Sequence, residues 1–312
     1  MEYKNIVNEY KELKKEGKGA KSLAKKYMVD EDNIYRALAK NGCIDFLKLS
    51  KEDKIKISNL YKKGNSIKDI SKITGKGFKQ INYYLLYKGN LRKKTPKYKI
   101  KNDIFKVIDN EEKAYWLGFL YADGYVSKNK NHLELTIKDL DHLEKFKKFL
   151  KTDADIKEKI TKLNGKVFTN YRLTISSKEI CLDLNRLGCC SNKSLTLTSP
   201  KNVPDKLSRH FIRGYFDGDG SVGIYKSKKN KLCYSLSILG TPSILNYIRK
   251  QSSTYGGLNR RKISSTKKNK AFVINYGSIK SFTQFKNFIY KDSNIYLQRK
   301  YEKFNFIDKC PL

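Results

Sequence analysis

Apolar and polar positions along this chain form a pattern that occurs twice. From residue 111 to 123, and again from 207 to 219, largely apolar runs of helical character end at Asp123-Gly124 and Asp219-Gly220. Segments that alternate between apolar and polar residues follow each run and predict strands at 133–138 and 167–175, then at 222–225, 232–239, 260–264 and 271–276. Helical periodicity covers 141–150 and 177–187 in the first half, and 243–251 and 279–290 in the second. Each half reads helix, two strands, helix, two strands, helix. The expected class is α+β, a duplicated αββαββα unit with pseudo-two-fold symmetry.

A second, more diverged repeat precedes it, with an offset of 47 residues. Its first copy has a helix near 3–15, a segment from Ala20 to Tyr27, a short turn, and a helix carrying Ile34 and Leu38. Its second has Ser50 and Asp53 as a capping pair, a segment at 66–74, a turn at Gly75-Lys76-Gly77, and a helix carrying Ile81 and Leu85. Helix, short turn and helix, with a small residue at the crossing, predicts two helix-turn-helix units at 1–47 and 48–95. Their last helices would offer Asn33, Tyr35, Arg36 and Lys40, then Lys79, Gln80, Asn82 and Tyr83, to a major groove. Residues 96–110 read as a basic linker, followed by half 1 at 111–200 and half 2 at 201–312.

The spacing inside the paired runs carries chemistry. Gly118 and Ala122 are four apart, as are Gly214 and Gly218, so each pair lies on one helix face and allows close backbone approach. Packed on each other, the two helices would bring Asp123 and Asp219 out side by side. A carboxylate at a helix C-terminus opposes the macrodipole, and two together repel. A divalent cation with oxygen ligands relieves both conflicts.

Charge narrows the partner. The 312 residues carry 67 Lys and Arg against 31 Asp and Glu, a net charge of +36 distributed along the chain, which points to a polyanion. Six cysteines without a C-x-x-C pair, and only three histidines, argue against zinc and for a reducing, intracellular compartment. The polar start, Met-Glu-Tyr-Lys, lacks a signal region, and no run is long enough to predict a membrane span. The expected location is cytoplasmic or organellar.

Trp116-Leu-Gly-Phe-Leu-Tyr-Ala-Asp-Gly124 and Ile212-Arg-Gly-Tyr-Phe-Asp-Gly-Asp-Gly220 resemble the two motifs of a LAGLIDADG homing endonuclease, across roughly 111–308. The first departs in having Tyr121 where the family has an acid, a position that caps or packs the helix and does not ligate metal. The resemblance implies a monomer in which Asp123 and Asp219 ligate Mg²⁺ or Mn²⁺, with the carbonyls of Ala122 and Gly218 as further contacts. It implies hydrolysis of both strands of a long, asymmetric duplex DNA site. Basic residues near each site are expected at Lys193 and Lys300. Strand faces would contact the major groove through Lys138, Thr169, Tyr171 and Arg172 in half 1, and through Ser235, Ser237, Arg260, Arg261, Lys262, Asn269 and Lys270 in half 2. A non-cleaving transcription regulator and an intron RNA maturase are alternatives on the same scaffold. The presence of both acids favours cleavage, and helix-turn-helix units favour duplex DNA. A first residue of Met and an ending of Lys-Cys-Pro-Leu argue against an intein.

Overall fold

The computed structural model describes residues 3–16, 19–41, 49–88, 98–127, 131–163, 165–189, 196–226, 232–266 and 271–308. The chain divides into two compact units, Met1–Thr95 and Pro96–Leu312. No helix among the described residues is long and apolar enough to cross a membrane.

The first unit is all helical: α1 (Tyr3–Lys15), α2 (Ala20–Lys26), α3 (Glu31–Lys40), α4 (Lys51–Lys62), α5 (Ile67–Thr74) and α6 (Phe78–Tyr87). Capping boxes start α4, at Ser50 and Asp53, and α5, at Ser66 and Asp69. Gly75, at φ 68°, ends α5 in the left-handed conformation that glycine adopts without strain. Each triplet has its own small core, built on Leu23, Ile34 and Leu38 in one and on Ile57, Ile70, Ile81 and Leu85 in the other.

The second unit runs α7 (Glu111–Asp123), β1 (Gly124–Val126), β2 (His132–Ile137), α8 (Leu140–Phe149), β3 (Ile156–Leu163), β4 (Lys166–Ser176) and α9 (Lys178–Leu187). It repeats as α10 (Ser208–Asp219), β5 (Gly220–Lys226), β6 (Leu232–Gly240), α11 (Pro242–Gly256), β7 (Ile263–Ser265), β8 (Phe272–Tyr276) and α12 (Ile279–Tyr290), and adds α13 (Gln298–Asp308). The two four-stranded antiparallel sheets have the same order, β1-β2-β4-β3 and β5-β6-β8-β7. The fold is the duplicated αββαββα arrangement.

Its symmetry is set by backbone contact between α7 and α10. A Cβ on Gly118 would collide with the carbonyl of Phe211 and meet the amide of Tyr215 at 2.9 Å. A Cβ on Gly214 would collide with the carbonyl of Tyr115 and meet the amide of Phe119 at 2.8 Å. These contacts are reciprocal under the 96-residue offset, as an isologous pair requires. Glycine at both positions lets the two backbones touch.

Three sequence expectations change. The stretch 96–110 is not a solvated linker over its described part, since Ile104, Phe105 and Ile108 are buried in the main core. Lys99 N–H donates to Asp153 at 2.6 Å, and Ser177 Oγ donates to Asn102 at 2.7 Å, which ties this stretch to the loop ahead of β3 and to the N-cap of α9. The apolar spacing of those three residues outweighs the basic composition around them. Arg260, Arg261 and Lys262 precede β7 and are not part of a strand. The strand expected after the first pair in half 1 extends into a long β3–β4 ribbon, whose register runs from Ile156 opposite Leu173 to Leu163 opposite Lys166.

Candidate active site and sheet faces

Both motif acids emerge at one end of the α7–α10 pair. The Asp123 carboxylate borders Gly218 across the interface, where a Cβ would sit 3.2 Å from its Oδ2. Asp123 is exposed and Asp219 is half-buried. Ala122 also packs directly against Gly218, so the small-residue face continues to the end of the helices.

Lys300 lies beneath this pair. It is 5% exposed, and its Nζ donates to the carbonyls of Phe216, Gly218 and Gly220 at 2.7, 2.9 and 2.6 Å. An ammonium has three hydrogens, and these three bonds use all of them. The charge compensates the negative end of α10. Burial pushes Lys300 down to about 8, opposed by the nearby carboxylates of Asp217, Asp123 and Asp219. Lys193, its candidate counterpart in half 1, lies outside the described residues, as do Asn269 and Lys270.

Asp217 fills the acidic position of the second motif, for which the resemblance implies capping or packing of the helix. It is 1% exposed and accepts from Tyr115 Oη at 2.9 Å, Tyr290 Oη at 2.8 Å and Leu297 N–H at 2.8 Å. Burial raises its pKa, while the Leu297 amide, Lys300 and the two tyrosines oppose that shift. One turn earlier, the fully buried Arg213 donates to the carbonyls of Ile295 and Ile289, both at 2.7 Å, and to Glu111 at 2.6 Å. Together Arg213 and Asp217 fix the segment that leads into α13, and therefore the place of Lys300. At the position matching Asp217, Tyr121 donates to the carbonyl of Leu187 at 2.6 Å, anchoring the end of α9 by a different bond.

One face of each sheet packs on helices, through Leu133, Leu135, Leu173 and Ile175 in the first and Leu236, Ile238, Ile274 and Tyr276 in the second. The opposite face of the first sheet carries His132, Glu134, Thr136, Lys157 and Arg172. The opposite face of the second carries Ser221, Ser235, Ser237 and Asn275. Arg172, Ser235 and Ser237 thus stand on open faces. Tyr171 does not: it pairs with Ile137 and packs against the core. Strand alternation fixes this, because Tyr171 and Arg172 must point to opposite sides. Thr169 shares the side of Tyr171 but is exposed on the ribbon, and Lys138 is exposed just after β2. Arg260, Arg261 and Lys262 are exposed, and the Arg261 carbonyl accepts from Arg249 at 3.2 Å. Glu134, Lys157 and Asn275 were not anticipated. For Glu134 and Asn275 the signal was the alternation along strands the sequence predicts, whereas Lys157 lies on β3, which the sequence pattern did not reveal.

In the first unit, Arg36 and Lys79 are exposed and Gln80 is half-buried. Tyr83, by contrast, is buried and stacks on Tyr35 with centroids 5.8 Å apart. Tyr83 Oη donates to Asp32 at 3.1 Å, and Lys79 pairs with the same carboxylate at 3.2 Å. The helices α3 and α6 therefore pack on each other, and Tyr35 and Tyr83 are spent on that contact.

Residues 110–187 match the family model described as a LAGLIDADG-like domain. That segment is a LAGLIDADG-like domain. A replication factor C small subunit of Methanocaldococcus jannaschii is 33% identical over 133 residues, covering 41% of this chain and 7% of that protein. The chain therefore spans a small fraction of that relative's length. Among solved structures, the homing endonuclease I-WcaI bound to its DNA recognition sequence is 16% identical, covering 64% of this chain and 90% of that one, with a TM-score of 0.48. I-SmaMI bound to an uncleaved DNA target with calcium ions is 13% identical, with coverage of 64% and 90% and a TM-score of 0.44. The matched LAGLIDADG-like domain includes α7 and the whole first sheet.

Proposed function

We propose that the chain is a site-specific DNA endonuclease that hydrolyses one phosphodiester in each strand of a duplex, using divalent metal held between Asp123 and Asp219. The observation that carries this reading is the convergence of two carboxylates at the end of one tightly packed helix pair, in a chain of net charge +36. The donor set fits a hard cation: two carboxylates with the carbonyl of Ala122 nearby are all-oxygen ligands, whereas the Gly218 carbonyl, also expected as a contact, already accepts from Lys300 at 2.9 Å. When bound, Mg²⁺ or Mn²⁺ would supply an activated water and stabilise charge on the leaving 3′ oxygen.

The chain's own groups do the rest. Asp123 and Asp219 orient the cation at the centre of the pseudo-two-fold, so that a single chain carries a site for each strand. Lys300 acts as a positioning residue, because its hydrogens hold the α10 terminus and its charge offsets the two acids. The open sheet faces would follow the major groove on either side of the cut. Their unequal side chains support an asymmetric target. Arg36, Lys79 and Gln80 would add contacts from the helical unit, which we read as tandem helix-turn-helix modules joined through α3 and α6.

Cleavage of a randomised duplex library in Mg²⁺, with sequencing of the ends, tests activity and target together. Asp123→Asn or Asp219→Asn should abolish double-strand cleavage while leaving binding in a gel shift within a few-fold. Undiminished cleavage by either variant would remove the assignment. Binding should also weaken steeply with salt if phosphate contacts dominate affinity.

A further inference from the structure

Tyr215 and Phe119 occupy equivalent positions on the paired helices, each four residues before its acid. Their surroundings differ. Phe119 is buried against the rings of Trp116 and His142, with centroids 5.7 and 5.0 Å away. Tyr215 is equally buried, but its hydroxyl shares its one hydrogen between two acceptors, the Leu239 carbonyl 2.9 Å away and the Asp219 carboxylate. Space for that oxygen exists because residue 240 is glycine: a Cβ there would come within 2.6 Å of it. Tyr215 and Asp219 together border a cavity of about 190 Å³, which Ala122, Gly240 and Thr241 help to line.

The ring is thus held by the end of β6, and its hydroxyl reaches the acid from one turn below. A carboxylate oriented in this way loses rotational freedom before any cation arrives. Phenylalanine at 119 supplies no hydroxyl to Asp123.

We propose that Tyr215 is a positioning residue that orients Asp219 toward a divalent cation and makes the second half-site bind that cation more tightly than the first. The proposal rests on the metal-site reading above. Groups that orient a metal ligand are worth about 10- to 100-fold in metal affinity or activity, and a difference of that size between the acids would bias which strand is cut first.

The test uses the full chain and Mn²⁺, with the free-ion signal followed by electron paramagnetic resonance. In an Asp123→Asn background, which retains Asp219, adding Tyr215→Phe should weaken Mn²⁺ binding about 10-fold or more. In an Asp219→Asn background the same change should leave Mn²⁺ affinity unaltered. Thermal melting of each variant reports folding separately. On a cleavable duplex, Tyr215→Phe should also bring the two strands' nicking rates closer together. Equal Mn²⁺ affinity with and without the hydroxyl in the Asp123→Asn background overturns the proposal, as does equal weakening in both backgrounds. Absence of Mn²⁺ binding by the unsubstituted chain overturns the metal-site reading and this proposal together, so the two failures are distinguishable.

Discussion

The two halves of the second unit share topology and sheet order but differ where they approach the acids. At the helix interface they are equivalent: Gly118 meets Phe211 and Tyr215, and Gly214 meets Tyr115 and Phe119. One turn from the acids they diverge, with Phe119 facing aromatic rings and Tyr215 reaching Asp219. Two residues before the acids they diverge again, Tyr121 donating to Leu187 and Asp217 accepting from Leu297. The open sheet faces differ too, charged in the first half and carrying neutral hydroxyls and an amide in the second. Close helix contact demands the same small residues on both sides. Positions outside that contact carry no such demand, so each half has built its own support around the shared pair.

The largest effect that separates the halves should come from Lys300. Replacing it with Met would leave three carbonyls without their donor and would remove one of the two cations near Asp217, the other being Arg213. The expected loss of stability is about 3–5 kcal/mol, read by urea unfolding of the full chain. If Lys300→Met instead kept its unfolding midpoint while losing DNA cleavage, the ammonium would be acting on substrate and not on the end of α10.

The glycines test the symmetric part of the comparison. Gly118→Ala and Gly214→Ala each place a methyl against a backbone carbonyl of the opposite helix, and backbone cannot yield as a side chain can. Each should cost about 1–3 kcal/mol, and the two losses should agree closely, because the contacts are reciprocal. Unfolding midpoints that differ strongly between these two variants would show that the pseudo-two-fold does not extend to energetics.

The duplicated fold was legible because its signals are local. Alternation at 167–175 and helical spacing at 279–290 each determine one element without reference to the rest of the chain. Asp123 and Asp219 were legible because the motif occurs twice. The support around them was not, since it depends on distant partners: Asp217 meets Tyr115 and Leu297, 102 and 80 residues away. Strand faces failed by one residue at Tyr171, where a run rich in both apolar and polar residues left the inward side ambiguous, and pairing with Ile137 decided it. Similarly, Tyr83 looked like a groove-facing tyrosine until Tyr35 and Asp32 of the other helical triplet claimed it.

The smallest effect distinguishes the two anchors at positions 121 and 217. Tyr121→Phe removes one hydroxyl that donates at 2.6 Å to the Leu187 carbonyl, at the end of α9. A single neutral hydrogen bond contributes about 1 kcal/mol, and the ring itself, packed edge-on against Phe211 at 5.0 Å, stays in place. Asp217→Asn acts on a group that accepts three bonds, and an amide can accept through only one of its two ends. Its loss should therefore exceed that of Tyr121→Phe, and it should loosen the start of α13, measured as faster amide hydrogen exchange near Leu297. Equal losses for the two variants, with no change in exchange at Leu297, would mean that the acid in the second motif anchors its half no more firmly than the tyrosine anchors the first.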